Sequence, residues 1–536
     1  MNLHKYTKHL VAISVLALLC FALILRLIPL RNNTPFWVDE FSTGTSARMI
    51  LQEGVKIFWE RPPGFESNNS LTYALTAVAF ALFGQSESVA RIPSVLFGTL
   101  VVVAVYLLGR RLHSNTAGIL AGLFTATSYF QIVWSLQARS YMLLQLLILL
   151  TVWWSINMIK KHMLIPRDII ILAVLFFLGI TTHFMFSLCA LSVIISISYA
   201  HRRQLIRFAI ARWYVMIAGV LVAVLSLWQM GFIHSFWVYM NSSFFLANNV
   251  WYYHPFLWRE YGLVVFTGMI GFLFLAKSAK ASVGVVLLHL MLQLVFVTFF
   301  FAHHMSKYLL PIFPYFFIGM GVFVYELSKM ITQGIGEVRM LKQIKLTGGT
   351  LTAVCALGFA LFIIANGHKF VLKPKAYYSI NHDFREIANI DYHQIYNIIK
   401  NGVTESNGEK VAMIETWPGR AYWYLGGSYQ PMYIFRWQNE EGMENGHSKK
   451  TEFILNSEGE KMVGGGMIFV GEVRDLVLAT QKNAKGYFFV DDDTLPREVI
   501  DYAEKNLKKE LSLDHYTLDD NPYSLWPATL YSWGFK

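Results

Sequence analysis

The chain has 536 residues, of which 55% are hydrophobic, 15% aromatic and only 15% charged, against about 25% charged in an ordinary soluble domain. With 15 Trp, 27 Tyr and 41 Phe, it is not a disordered chain, a coiled coil or an ordinary cytosolic enzyme. Residues 368–536 hold 19 basic and 24 acidic side chains, leaving 26 basic and 10 acidic in 1–367. The net charge of +11 therefore belongs to the apolar part of the chain, where basic residues set membrane topology, and is no sign of nucleic acid.

Apolar runs of bilayer-spanning length recur, which makes a polytopic α-helical membrane protein the expected class. The first run, 9–30, follows Lys5 and Lys8 and has no small-residue cleavage site, so a retained first helix is expected. The positive-inside rule then puts the N-terminus in the cytoplasm and residues 31–88 outside. The run 89–108 returns to Arg110-Arg111; 117–134 goes out and 141–158 comes back to Lys160-Lys161. The stretch 169–200 has Arg167 at one end and Arg202-Arg203 at the other, so it must cross twice. It divides into two short helices of about 23 Å each, with Thr182-His183 at the tip. Runs at 213–233, 261–276, 281–301, 309–327 and 347–367 complete about eleven crossings.

This topology predicts a transmembrane part, 1–367, and an extracytoplasmic domain, 368–536, in the plasma or inner membrane of a cell. Short β-type runs at 411–414, 467–470 and 487–490, with a helical pattern over 496–509, suggest a small α/β or α+β fold for that domain. Seventeen of the 26 basic residues in 1–367 fall at cytoplasmic positions. The nine others, Arg26, Arg31, Arg48, Lys56, Arg61, Arg91, Arg139, Arg259 and Lys307, fall outside or near the outer ends and need another explanation. The three cysteines, Cys20, Cys189 and Cys355, lie in apolar runs and form no disulfide framework or metal-binding spacing.

Six of the ten acids in 1–367 fall in the 31–88 loop: Asp39, Glu40, Glu53, Glu60, Glu66 and Glu87. Asp39-Glu40 follows Phe36-Trp37-Val38. A carboxylate at the edge of a low-dielectric wall has a raised pKa or a partner, which suits a general base or a metal ligand. A solvated loop charge, or a cap for a helix starting near Ser42, explains the same pair. Three further polar clusters fall at the outer side. Gln137-Ala138-Arg139-Ser140-Tyr141 offers an arginine to phosphate, or a snorkelling side chain. His183 sits at the hairpin tip, where a satisfied structural histidine is the alternative. His303-His304-Met305-Ser306-Lys307-Tyr308 places a lysine against the positive-inside trend, which an anionic partner explains. The aromatic loop 234–259 either stacks on sugar rings or forms an interfacial belt. A polar pocket open to lipid suits a lipid-phosphate sugar donor: cations would stabilise the departing phosphate and a carboxylate would take the acceptor proton.

These stretches resemble the membrane glycosyltransferases of the glycosyltransferase-C fold, in the group containing the protein O-mannosyltransferases and the lipid A aminoarabinose transferases (glycosyltransferase family 39-like). Four segments carry the resemblance: Phe36-Trp37-Val38-Asp39-Glu40; Ser86-Glu87-Ser88-Val89-Ala90-Arg91-Ile92-Pro93 with Gly109-Arg110-Arg111-Leu112; Ser135-Leu136-Gln137-Ala138-Arg139-Ser140-Tyr141; and Lys307-Tyr308-Leu309-Leu310-Pro311. The resemblance implies an inverting single displacement from a polyprenyl-phosphate sugar on the outer face of the membrane, to a lipid, glycan or protein acceptor. It implies Asp39 as base with Glu40 its acidic neighbour, and donor-phosphate contacts from Arg139, Lys307 and Tyr308. His183, Glu66, Gln137 and Arg91 would complete the site. A divalent metal such as Mg or Mn stays open, with Asp39 and Glu40 as candidate ligands. Gln137 stands where relatives often have Glu, and Glu66-Ser67-Asn68-Asn69-Ser70-Leu71 replaces a common His-Pro-Pro-Leu segment. A transporter or flippase of a lipid-linked or anionic substrate is the rival class. Such proteins usually carry mid-membrane charges and repeated halves, and this sequence shows few such charges and no repeat.

Overall fold

The computed structural model describes residues 3–57, 69–161, 163–229, 248–278, 280–301, 305–336, 348–372, 391–426, 432–435, 454–457, 459–463, 467–491, 496–513, 517–518, 521–525 and 528–535. The chain forms two compact units: residues 1–32, 66–79 and 91–376 make one, and residues 33–65, 80–90 and 377–536 the other.

The first unit is helical. Among the described residues six helical segments are long and apolar enough to cross a bilayer: His9–Asn32, Glu87–Leu112, Tyr141–Ile159, Ala281–Phe300, Ser306–Gly334 and Gly349–Asn366. A seventh arises if Val250–Glu260 and Gly262–Lys277, bent by 87°, count as one span. The expectation of about eleven crossings included two short helices, and the long apolar helices among the described residues account for six or seven of them.

One expected span is broken, and the hairpin is divided as expected. The run 117–134 splits into α5 (Asn115–Thr127) and α6 (Tyr129–Ser135), numbering the helices in chain order. Ser128 between them is extended and forms a β-bridge with Phe370. Tyr129 N–H donates to the Lys369 carbonyl (3.0 Å) and Val371 N–H to that of Thr127 (2.9 Å), so a passing strand replaces two helical bonds. The hairpin 169–200 is two short helices, Pro166–Thr182 and Phe186–Ala200. Residues 296–300 form a π-helical turn and Ser306–Ile312 a 3₁₀ turn, so the α-helical pattern is interrupted at both of these segments.

The closest helix packing joins α13 (Gly262–Ser278) to α15 (Phe313–Gly336). A Cβ on Gly271 would collide with the Gly319 backbone, and one on Gly319 with that of Gly268. These glycines let two backbones touch, the way apolar helices associate where lipid supplies no hydrophobic driving force.

The second unit is built on an eight-stranded mixed sheet in the order β3-β4-β5-β2-β1-β6-β10-β7. Here β1 is Val411–Glu415, β2 Met432–Phe435, β3 Ile454–Leu455, β4 Lys461–Val463, β5 Met467–Val470, β6 Lys485–Val490, β7 Lys508–Leu513 and β10 Ala528–Trp533. The central strands β5, β2, β1 and β6 are parallel. Every residue of β1 is buried, as a strand covered on both faces requires. The outer strand β7 opens on exposed Lys508-Lys509, which discourages further pairing. The expected helix over 496–509 ends at Asn506, because Lys508–Leu513 pairs with β10 instead. Two segments distant in sequence belong to the same unit: α2 (Val38–Glu53) and the residues around Glu87.

Candidate active site

In the second unit, α2 begins at Val38, ahead of the expected start near Ser42, so Asp39 and Glu40 lie in its first turn. There they complement the positive end of the helix dipole. Glu40 is fully buried, and its Oε2 accepts the Trp37 backbone N–H at 2.9 Å while Glu40 N–H donates to the Trp37 carbonyl. This acid caps the helix. Asp39 is half-buried, and its carbonyl accepts the Ser42 hydroxyl at 3.2 Å.

An aromatic clamp fixes this turn. Trp423, on α18 (Pro418–Leu425), packs against Phe36 with ring centroids 4.8 Å apart and stacks on Phe80 at 5.8 Å. Phe41 meets Tyr392 and Tyr424 edge-on at 5.7 and 5.8 Å. Arg48 lies 4.2 Å over the Trp423 ring and donates to the Tyr422 and Trp423 carbonyls. Trp423 Nε1 donates to Glu87 Oε1 at 3.2 Å, and His393 Nε2 lies 3.0 Å from the same oxygen. The Glu87 carboxylate raises the His393 imidazole above 6.5, against the opposing effect of burial.

Behind the clamp lies a fully buried ionic knot at the carboxyl ends of β1 and β6. Arg420 Nε donates to Glu415 at 3.2 Å, and its Nη1 to Asp491 and to the Tyr392 hydroxyl. Tyr396 and the Ala421 N–H also bond Glu415. Burial pushes the Glu415 carboxyl up to about 7, against the pull of Arg420 and these donors.

The first unit gathers a separate cluster. The charges of Arg139 and Lys307 both act on His183. The His183 ring faces Tyr141 at 5.3 Å, and the Lys307 ammonium lies 5.9 Å from the Tyr141 ring centre and 5.5 Å from that of Tyr308. His183, Lys307 and Tyr308 are buried, and His183 Nδ1 accepts the Met185 N–H at 3.2 Å. Arg139 is half-buried; its carbonyl accepts the Ser94 hydroxyl at 3.0 Å. Gln137 is buried, its side-chain amide having no hydrogen-bond partner. Arg91 is buried one turn into the helix Glu87–Leu112.

Thus Arg139, His183, Lys307 and Tyr308 come together in one unit, with Gln137 two residues from Arg139. Asp39 and Glu40 stand in the other unit. Glu66, His303 and His304 lie outside the described residues, as do Trp237 and Tyr239 of the aromatic loop. Of that loop, Trp251 and Trp258 are exposed and Tyr253 is buried. Among the described residues, no group of three or more His, Cys, Asp or Glu is placed to hold a metal ion. One oxygen of the Glu40 carboxylate is turned onto the Trp37 backbone.

Sequence reasoning passed over the amides that shape the lysine turn. Gln145 donates to the Leu310 carbonyl and Gln293 to that of Tyr308 (2.9 Å), holding Ser306–Ile312 in place. Asn249 bonds the carbonyls of Val297 and Phe301 at the π-helical turn. The signal was present, since an amide inside an apolar run must find a partner. Arg26, Arg48 and Arg259 need no anion. Arg26 bonds Ser135 and the Ala22 and Ala126 carbonyls, Arg48 the tail carbonyls, and Arg259 pairs with Glu260.

Residues 70–228 match the family model "Dolichyl-phosphate-mannose-protein mannosyltransferase". That segment contains Arg91, Gln137, Arg139 and His183. The chain is similar in structure to ArnT from Cupriavidus metallidurans bound to undecaprenyl phosphate, with a TM-score of 0.57 at 12% identity over 97% of each chain. The apo state of ArnT gives 0.58 at 13% identity over 98% of each chain. The archaeal oligosaccharyltransferase AglB from Archaeoglobus fulgidus, in complex with an inhibitory peptide and a dolichol-phosphate, gives 0.56 at 11% identity, covering 97% of this chain and 76% of that one. A search of curated proteins found no sequence match. The chain thus shares its fold with these structures, and its residues 70–228 match a protein mannosyltransferase family model.

Proposed function

We propose that the chain is a membrane glycosyltransferase that moves a sugar from a polyprenyl-phosphate donor to an acceptor at the outer membrane face. The observation that carries this reading is the Arg139–His183–Lys307 cluster, in a chain whose fold is shared with proteins solved in complex with undecaprenyl phosphate and dolichol-phosphate. Two cations around a neutral ring pair suit a phosphate monoester that gains charge as it leaves. Tyr141 and Tyr308 hold the Lys307 ammonium through their ring faces, which costs less than a bare buried charge.

In the proposed step the acceptor oxygen attacks the anomeric carbon from the face opposite the phosphate. Its proton passes to the Asp39 carboxylate. The bond from the anomeric carbon to the phosphate oxygen breaks, its electron pair leaves with polyprenyl phosphate, and the configuration inverts. Asp39 is the candidate base because Glu40 is occupied as a cap, leaving Asp39 as the half-buried acid of the pair.

The test is the purified full chain in vesicles supplied with a panel of polyprenyl-phosphate sugars and membrane lipid, glycan and peptide acceptors. The reading expects release of polyprenyl phosphate coupled one-to-one to a new glycosidic bond. Donor translocation across sealed vesicles without bond formation contradicts it and favours a flippase.

A further inference from the structure

The basic pair Arg202-Arg203, which only marks topology in the sequence, lines a cavity in the first unit together with Arg207. Helix α10 (Arg202–Ala211) follows the hairpin and precedes the apolar helix Trp213–Gln229. It is tied back to the preceding loop by a two-way amide contact. Leu164 N–H donates to Gln204 Oε1 at 3.0 Å, and Gln204 Nε2 donates to the Leu164 carbonyl at 3.3 Å. His201 is buried, its Nε2 3.1 Å from the Met158 carbonyl. Between these elements lies a cavity of about 510 Å³ lined by Met163, His201, Arg202, Arg203, Gln204 and Arg207.

The charges at this cavity are one-sided. Arg202 leans on the end of the preceding helix, donating to the Tyr199 carbonyl at 3.1 Å and covering the Tyr199 ring. Among the described residues, neither Arg203 nor Arg207 has a carboxylate partner. Lys161 is neutralised by Asp168 at 2.6 Å. Among the described residues Lys160 has no carboxylate partner, and the charge of Arg111 acts on it. Like charges gathered without acids repel, and an anion between them removes that repulsion. The exposed side of α10 also bears Ile206 and Ile210 beside Arg203 and Arg207. This mixture suits a helix lying at the membrane surface, its apolar side chains in the acyl region and its guanidinium groups at the phosphates.

We infer that this cavity is a headgroup site for an anionic phospholipid of the leaflet opposite the sugar-transfer face. The guanidinium groups of Arg203 and Arg207 would hold the phosphodiester, and the acyl chains would lie along Ile206 and Ile210. The site is independent of the transferase reading and stands or falls alone.

The experiment places a photo-crosslinking benzoylphenylalanine at Met163 of the full chain in nanodiscs of equal phosphatidylglycerol and phosphatidylcholine. The expected result is preferential crosslinking to phosphatidylglycerol, reduced by added salt. Replacement of both arginines (Arg203→Gln with Arg207→Gln) should lower it by about five-fold per arginine removed. The paired Arg203→Lys and Arg207→Lys variant should retain the preference and controls for misfolding. Equal labelling of the two lipids, or labelling insensitive to salt, overturns the proposal. Loss of the lipid adduct on adding inorganic phosphate, beyond that caused by sodium chloride at equal ionic strength, assigns the site to a free anion and overturns it equally.

Discussion

Individual residues divide between those that hold the fold and those left for chemistry. Lys307 is buried against two aromatic rings, its ammonium 5.9 Å from the Tyr141 ring centre and 5.5 Å from that of Tyr308. Lys307→Ala should lower kcat/KM for the donor by about 10- to 100-fold, the worth of one charge-assisted contact, without unfolding the chain. Steady-state transfer assays with circular dichroism check this. Arg420 is the opposite case. Arg420→Met leaves Glu415 and Asp491 buried without their cation and should cost about 3–5 kcal/mol. The expected readout is loss of the folded tail in limited proteolysis of the full chain. His393 gives a pH dependence. Its folded-state pKa is raised by Glu87, so its stabilising contribution is complete below about 6.5 and is lost as pH rises through the folded value. Hydrogen exchange over residues 392–405, corrected for intrinsic rates, should therefore accelerate above neutrality. In a Glu87→Gln variant that acceleration should vanish.

At the scale of elements, helices announced themselves and their interruptions did not. The apolar runs at 9–30, 89–108 and 141–158 were legible because bilayer-length hydrophobicity is a strong signal. The break at Ser128 was not, since it depends on a strand from residues 369–371 that no local pattern reveals. Likewise Asp39-Glu40 stood out by composition, but the clamp that fixes them comes from Trp423, Tyr392 and Tyr424, more than three hundred residues later. The short runs at 411–414, 467–470 and 487–490 proved to be strands of one sheet, whereas the other strands of that sheet, β2 and β10 among them, were not expected from the sequence. The clamp makes its own prediction. Trp423→Ala removes a buried ring worth about 3–5 kcal/mol of packing and should lower kcat more than it alters donor KM. Trp423→Phe, which keeps the ring but not the bond to Glu87, should recover part of the loss. Equal losses in both variants would assign the effect to the Glu87 bond rather than to packing.

For the whole molecule, the family match covers residues 70–228, while Asp39, Lys307 and the sheet lie beyond it. The fold likeness extends over nearly the entire chain at 12–13% identity, so architecture is shared where side chains are not. The central claim is that this architecture serves sugar transfer with Asp39 as the proton acceptor. It is tested most directly by Asp39→Asn in the reconstituted full chain, with donor binding and transfer measured on the same sample. The account predicts transfer lowered by about 10²–10⁴-fold, the range for a lost general base, with donor affinity and protein level unchanged. Transfer at the parental rate would contradict it.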